Sequence, residues 1–231
     1  STTLIEKISK KVTSWIYTAD RNLTALQFLN IDKNKLIKLS NAMQIDNEPF
    51  PKTRAQLKIK EDTVVFTLVA RGIKRKGWRA SIEAFLLLEK EYSNIHLLLV
   101  GDGEEMEKCK NIYDKHPKIT FLGYQSKIHG LYRISDCAIV PTRFEGESYP
   151  LCIIQALQVG LPIIATDVGE IKSMLTSKDG KTLGIILPNE RDTKIFINHL
   201  KDAMSEMMKK EKREKFSSIS KELAKNYDMS N

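Results

Sequence analysis

Five short apolar runs, each followed by a stretch of helical character, constrain this 231-residue chain more than any other feature. They are residues 63–69 (TVVFTLV), 95–100 (IHLLLV), 119–122 (ITFL), 137–140 (CAIV) and 184–187 (GIIL). A strand with one face in water alternates polar and apolar residues, whereas these runs are almost continuously apolar, as strands covered on both faces are. The second ends at Gly101, the third at Gly123 and the fourth at Pro141, residues that stop strands and start turns. Between the runs, Ile82, Phe85 and Leu86 fall on one face of a helix expected over 78–92. Further helices are expected over 104–115, 192–208 and 210–225. Alternating strand and helix predicts a Rossmann-like α/β domain, a doubly wound parallel sheet with helices on both faces.

Two loops in this pattern carry candidate chemistry. The segment 145–171, EGESYPLCIIQALQVGLPIIATDVGEI, joins an acidic loop to a short helix over 150–159 and then to a buried strand. Pro150 suits the first helical position, where its missing N–H is no loss, and Gly160 suits a helix stop. The free N–H groups from Leu151 and Cys152 onward, at the positive end of the helix dipole, can receive phosphate oxygens. Glu147 lies just before that end and Gln155 one and a half turns in; a carboxylate beside a phosphate site is suited to accept hydrogen bonds from sugar hydroxyls. The alternative is an acidic turn before a core helix. The second loop, RGIKRKGWR, follows the first apolar run and holds five cations between Arg71 and Arg79. It is either a solvated basic loop or, at the carboxyl edge of a parallel sheet, part of a ligand site.

The 145–171 segment resembles the donor-site signature of retaining glycosyltransferases of family four, the large GT-B group that builds bacterial polysaccharides, glycogen and sucrose. That signature is Glu, seven residues, Glu, followed by a small-residue run. Glu147 and Gln155 stand at its two ends, Pro150 and Leu151 match inside, and Gly160-Leu161-Pro162 and Ala165-Thr166-Asp167-Val168-Gly169 match downstream. LLLVGDGEE, ITFLGY and LYRISDCAIVPTRFEG are similar to successive family segments in the family order. The resemblance implies the carboxyl-terminal half of a GT-B fold that binds a nucleoside diphosphate sugar, with UDP expected, and transfers its sugar to a saccharide or lipid-linked acceptor. It implies catalytic roles for Arg71 and Lys76, which neutralise the diphosphate, and for Glu147, which contacts hydroxyls of the sugar. It also implies that Gly123, Tyr124, Ser148, Tyr149, Leu151, Cys152 and Gln155 bind the donor, Gln155 at the ribose and the backbone around Tyr124 at the base. Gln155 departs from the pattern, because an amide lacks the charge-assisted strength of a carboxylate.

The expected organisation is a remnant of an acceptor-binding domain over 1–42, a linker over 43–56, the donor domain over 57–210 and a truncated closing helix over 211–231. In the remnant, 11–17 and 36–39 read as strands and 21–29 as a helix capped by Asp20. Ser1 in place of Met, and the preceding acceptor-binding half that the resemblance implies, mark the chain as a piece of a longer one. With 42% apolar residues, a domain of this size forms its core without disulfides or metals. Cys109, Cys137 and Cys152 are scattered and odd in number, as in a reducing cytoplasm. No run of 18 apolar residues occurs and no secretory pattern opens the chain. The net charge of +8 is spread over many helices; it is compatible with contact at the inner face of a membrane, while no nucleic-acid motif accompanies it.

No metal and no cofactor are expected. His96, His116, His129 and His199 stand apart from one another, and there is no Asp-any-Asp triplet to hold manganese. Gly101-Asp102-Gly103 lacks a third glycine at Met106, which argues against a dinucleotide-binding dehydrogenase. Two alternatives stay open: a non-catalytic nucleotide-sugar-binding module, motivated by Gln155, and a nucleotide-sugar epimerase of GT-B fold.

Overall fold

A computed structural model describes residues 2–9, 11–20, 22–29 and 31–227. The first part holds a helix, α1 (Thr2–Ser9), a strand, β1 (Trp15–Tyr17), a second helix, α2 (Asn22–Phe28), and β2 (Leu36–Lys38), which pairs parallel to β1. The rest is a six-stranded sheet with helices on both faces. Its elements are β3 (Val64–Val69), α3 (Trp78–Leu88), β4 (Ile95–Val100), α4 (Glu104–Tyr113), β5 (Ile119–Gly123), α5 (Ile128–Arg133), β6 (Cys137–Val140), α6 (Leu151–Gln158), β7 (Ile163–Thr166), α7 (Ile171–Met174), β8 (Gly184–Leu187), α8 (Thr193–Glu206) and α9 (Lys210–Ala224). Strand order is β5-β4-β3-β6-β7-β8 with every neighbouring pair parallel, so the Rossmann-like α/β class read from the sequence is the observed one.

The continuous apolar runs become strands of this sheet, β3, β4 and β6 inside it and β5 and β8 at its two edges, and the inner strands are buried on both faces. Alternate residues of β4 serve the two layers: Leu98 and Val100 pack with α5 and α6, and Leu97 and Leu99 with α3 and α8. Of the face expected on α3, Ile82 and Phe85 are fully buried and Leu86 is partly buried; Trp78, at the start of the helix, is fully buried as well. Some expectations need correction. The strand expected over 11–17 keeps only Trp15–Tyr17, because β2 offers three partners and no more. α3 stops at Leu88 rather than residue 92, and α4 at Tyr113 rather than 115. Pro150 is the N-cap of α6, with ψ 124°, and the helix begins one residue later. The Asp20 carboxylate pairs with Lys38 Nζ at 2.7 Å, while its carbonyl accepts the Leu23 N–H at 2.9 Å. Arg21 and the last four residues lie outside the described residues.

The stretch 43–56 has no regular structure, as expected, yet it is fastened along its length. Arg54 donates from Nε to the Ile134 carbonyl at 2.8 Å, and its Nη2 meets the Asp136 carboxylate at 2.7 Å. Phe50 is buried, and a Cβ at Gly130 would lie 2.4 Å from its N atom. Upstream, the Gln158 amide donates to the Met43 carbonyl at 2.8 Å while its oxygen receives His129 Nε2, also at 2.8 Å.

His96, buried in β4, pairs through Nε2 with Thr120 Oγ1 of β5 at 2.9 Å. Burial, helped by the positive neighbours His116 and Lys118, lowers its pKa to about 4. The unfolded chain therefore takes up this proton first, near pH 6.5, and the stability that a neutral His96 supplies is lost as pH falls from there through about 4. Urea unfolding is expected to show a loss on the order of 3 kcal/mol over that window. His96→Gln should flatten the dependence; an unchanged slope would remove the assignment to His96.

Candidate functional site

The direction of winding reverses between β3 and β6, the topological switch point where α/β sheets open a crevice beyond the strands' carboxyl ends. A cleft of about 550 Å³ lies there, floored by Leu68, Val69 and Val140. Two glycines let the backbone close in around it. Gly101, at φ +135°, would place a Cβ 1.9 Å from the Ala70 carbonyl oxygen. Gly169, at φ +57°, would place one 1.7 Å from the carbonyl oxygen of Glu147. No side chain fits at either position, so the loops after β3, β4, β6 and β7 can pack against one another.

One wall of the cleft is cationic. After β3 the chain passes Arg71 and makes a single 3₁₀ turn, Lys74–Lys76, before α3. Trp78 Nε1 donates to the Arg71 carbonyl at 2.9 Å, which pins the loop, while the exposed Arg71 guanidinium meets no protein acceptor among the described residues. Lys76 lies against the ring of Phe144, with Nζ 5.6 Å from its centroid. Its ammonium is paired with Glu147 Oε1, and both side chains are largely buried, with 14% and 8% of their surface exposed. Thr142 at the end of β6 donates from Oγ1 to the same Oε1 at 2.9 Å. Oε2 of Glu147 takes no hydrogen bond among the described residues.

The opposite wall is the start of α6. No side chain caps this helix, and the N–H groups of Leu151 and Cys152 have no oxygen acceptor among the described residues. Among these residues the Leu151 N–H is free and that of Cys152 meets only its own sulfur; both stand at the positive end of a dipole on the cleft that Arg71 and Lys76 border. Two amides without oxygen acceptors, an unpaired guanidinium and an ammonium suit a dianionic or trianionic phosphate group.

Of the residues expected in the site, Arg71, Lys76, Tyr124, Glu147, Leu151, Cys152 and Gln155 line this one cleft. Tyr124 is exposed, and Gln155 has no hydrogen-bond partner among the described residues. Gly123 stands behind the wall, accepting the Gly101 N–H at 2.9 Å. Ser148 does not line the cleft. Nor does Tyr149, whose ring turns into the core and stacks obliquely on Tyr227, with centroids 6.2 Å apart. The sequence reading missed Thr142 and Phe144; the contacts that involve them depend on the approach of β6 to the β3 loop, which no local pattern marks. Lys74, Arg75 and Arg79 are exposed, apart from the cleft. The Cys152 thiol is pushed up to about 11 by burial, against the lowering effect of Lys76, so it stays neutral at physiological pH and is no nucleophile. Among the described residues no three His, Cys, Asp or Glu side chains group to hold a metal ion.

Comparison with known proteins bears on what this cleft serves. The family model of glycosyl transferases group 1 matches residues 49–223, more than half of the chain and all of the six-stranded sheet. The chain belongs to this family. An uncharacterised glycosyltransferase of Methanocaldococcus jannaschii is 29% identical over 143 residues, covering 59% of this chain and 34% of that protein. The lipopolysaccharide 1,2-N-acetylglucosaminetransferase of Salmonella typhimurium is 30% identical over 183 residues, covering 74% and 47%. These matches thus span about a third to a half of the relatives' length. Anabaena HepE, solved in complex with UDP-glucose, has the same fold at a TM-score of 0.73 and 17% identity, covering 99% of this chain and 64% of that one. In this group 1 glycosyltransferase chain the family's sheet carries the cationic wall, the buried carboxylate and the open helix end on a single cleft.

Gly169 is the support most exposed to a simple test. A methyl group there is strained at its positive φ and drives into the Glu147 carbonyl. Gly169→Ala is expected to lower the unfolding free energy in urea by about 1–3 kcal/mol. A variant as stable as the parent would show that the loop before α6 is not held by this contact.

Proposed function

We propose that this chain is the donor-binding half of a retaining glycosyltransferase, which takes a sugar from a nucleoside diphosphate sugar, UDP-linked in the first instance, and passes it to a saccharide or lipid-linked acceptor. The observation that carries the reading is the convergence of Arg71, Lys76 and the amides of Leu151 and Cys152 on one cleft at the switch point. In this reading the two cations and the helix end hold the diphosphate and stabilise the charge that grows on it as the glycosidic bond breaks. Glu147, with an open Oε2, accepts hydrogen bonds from the sugar. Gln155 and the surroundings of Tyr124 hold the nucleoside. Every phosphate ligand is a protein group, so the chemistry is proposed to need no metal. Residues 1–42 are assigned to an acceptor-binding domain and 43–56 to the connection, which supplies the acceptor and closes the cleft against water.

The length of the relatives supports a second domain, and the polysaccharide name of the Salmonella relative supports a saccharide acceptor. No helix among the described residues is long and apolar enough to cross a membrane. The proposed place of work is the cytoplasm, at the inner membrane face where the acceptor is lipid-linked. Gln155 favours a second reading, a module that binds the nucleotide sugar without catalysis. Assay of the protein with its acceptor domain separates the two, and product formed without any acceptor would instead mark an epimerase.

Calorimetry of this chain against UDP-, GDP- and dTDP-sugars tests the donor site. Binding is expected to survive EDTA. Lys76→Ala should weaken it about tenfold or more, the loss of a charge-assisted contact of roughly 1.5–3 kcal/mol, and Lys74→Ala far less. Equal losses for the two variants would reduce the site to diffuse basic attraction; binding abolished by EDTA and restored by magnesium would end the metal-free reading.

A further inference from the structure

The more buried of the two cations that line the cleft is already engaged by a protein group. Lys76 Nζ is paired with Glu147 Oε1, and Thr142 donates to the same oxygen from its place at the end of β6. The main chain that carries this carboxylate is held as well, since the Gly169 backbone abuts the backbone carbonyl of Glu147. Arg71, on the same cationic wall, has no such partner among the described residues. We propose that Glu147 is a built-in competitor for Lys76, making the cleft select a nucleoside diphosphate that carries a sugar over the bare nucleoside diphosphate. This inference rests on the donor-site reading above and gives it a direction of selectivity.

The argument is one of partners for a buried charge. A diphosphate that enters alone must draw the ammonium toward itself. That leaves the largely buried Glu147 side chain with the Thr142 hydroxyl as its remaining donor among the described residues, and a buried anion stripped of its cation is strongly disfavoured. A diphosphate that carries a sugar brings hydroxyl donors to the same carboxylate, so both halves of the pair end with partners. Thr142 holds the carboxylate in place while the ammonium shifts, and the open Oε2 is the acceptor the sugar meets. The consequence is asymmetric: the site binds donor well and releases the spent nucleoside diphosphate readily, because re-forming the Lys76–Glu147 pair expels it.

The test is a double-mutant cycle read by calorimetry on this chain, using UDP, GDP and dTDP and their glucose derivatives, with melting temperatures to confirm folding. Glu147→Gln, which frees Lys76, is expected to tighten the best-binding bare diphosphate about tenfold and to lower its disadvantage against the glucose derivative by a similar factor. In a Lys76→Ala background the same change should alter diphosphate binding by no more than about threefold. Lys76→Met, which keeps an apolar stem over Phe144, replaces Lys76→Ala if the latter fails to fold. Equal tightening in both backgrounds would mean simple charge repulsion and would overturn the inference, as would no tightening in Glu147→Gln. If the parent chain binds none of the six nucleotides, the donor-site reading falls and this inference with it; if it binds them and the cycle shows no coupling, the inference alone falls.

Discussion

A parallel sheet buried on both faces leaves its strand ends as the place for polar chemistry, and the rest of this molecule follows from that constraint. The apolar runs from β3 to β8 commit both faces to helices, so the polar backbone and every charged side chain of consequence must collect in the loops beyond the strands. Because the winding reverses between β3 and β6, the loops there diverge and leave a crevice instead of closing over the strands. Glycines at 101 and 169 remove the bulk that would otherwise hold the neighbouring loops apart.

Within that crevice the cationic and anionic groups have unequal situations, and the inequality is what makes chemistry available. Among the described residues Arg71 is exposed and unengaged and the first α6 amides have no oxygen acceptor, whereas Lys76 lies largely buried against Phe144 and is paired with Glu147. An exposed guanidinium can attract a passing anion at little cost in desolvation. A buried ion pair, in contrast, responds only to a ligand that replaces both partners. On the proposed donor-site reading, the cleft would combine a general phosphate attraction with a demand that the phosphate arrive with hydroxyls attached. Gln158, at the other end of α6, holds Met43 and His129, so the helix that presents the amides is also tied to the chain leading from residues 1–42.

Much of this was legible in the residues, for identifiable reasons. The strands Ile95–Val100, Cys137–Val140 and Gly184–Leu187 were read to the residue, because a strand buried on both faces announces itself as an unbroken apolar run with a turn residue at its end. α5 and α7 were not read, since six and four residues are too few for a helical period to show. The length of β1 was misread because it is set by its partner strand and not by its own sequence. Arg71, Lys76 and Glu147, at loop positions, and Gln155, inside α6, were singled out by residue type and by resemblance to the family signature, and they do share one cleft. The Lys76–Glu147 pair was invisible, as its members are separated by 71 positions and meet only once β6 lies beside β3. Tyr149, a motif position assigned to the donor, has its ring packed against Tyr227 and the core, which its place in the motif did not announce.

The central claim is that the open end of α6 receives the diphosphate between Arg71 and Lys76. Amide proton and nitrogen shifts from NMR titration with UDP-glucose, or with whichever nucleotide sugar binds best, address it most directly. The account predicts that the largest downfield amide shifts fall on Leu151 and Cys152, with the Arg71 Nε and Lys76 Nζ resonances moving in step. Saturable binding that leaves Leu151 and Cys152 unmoved while shifting amides elsewhere on the sheet would contradict it.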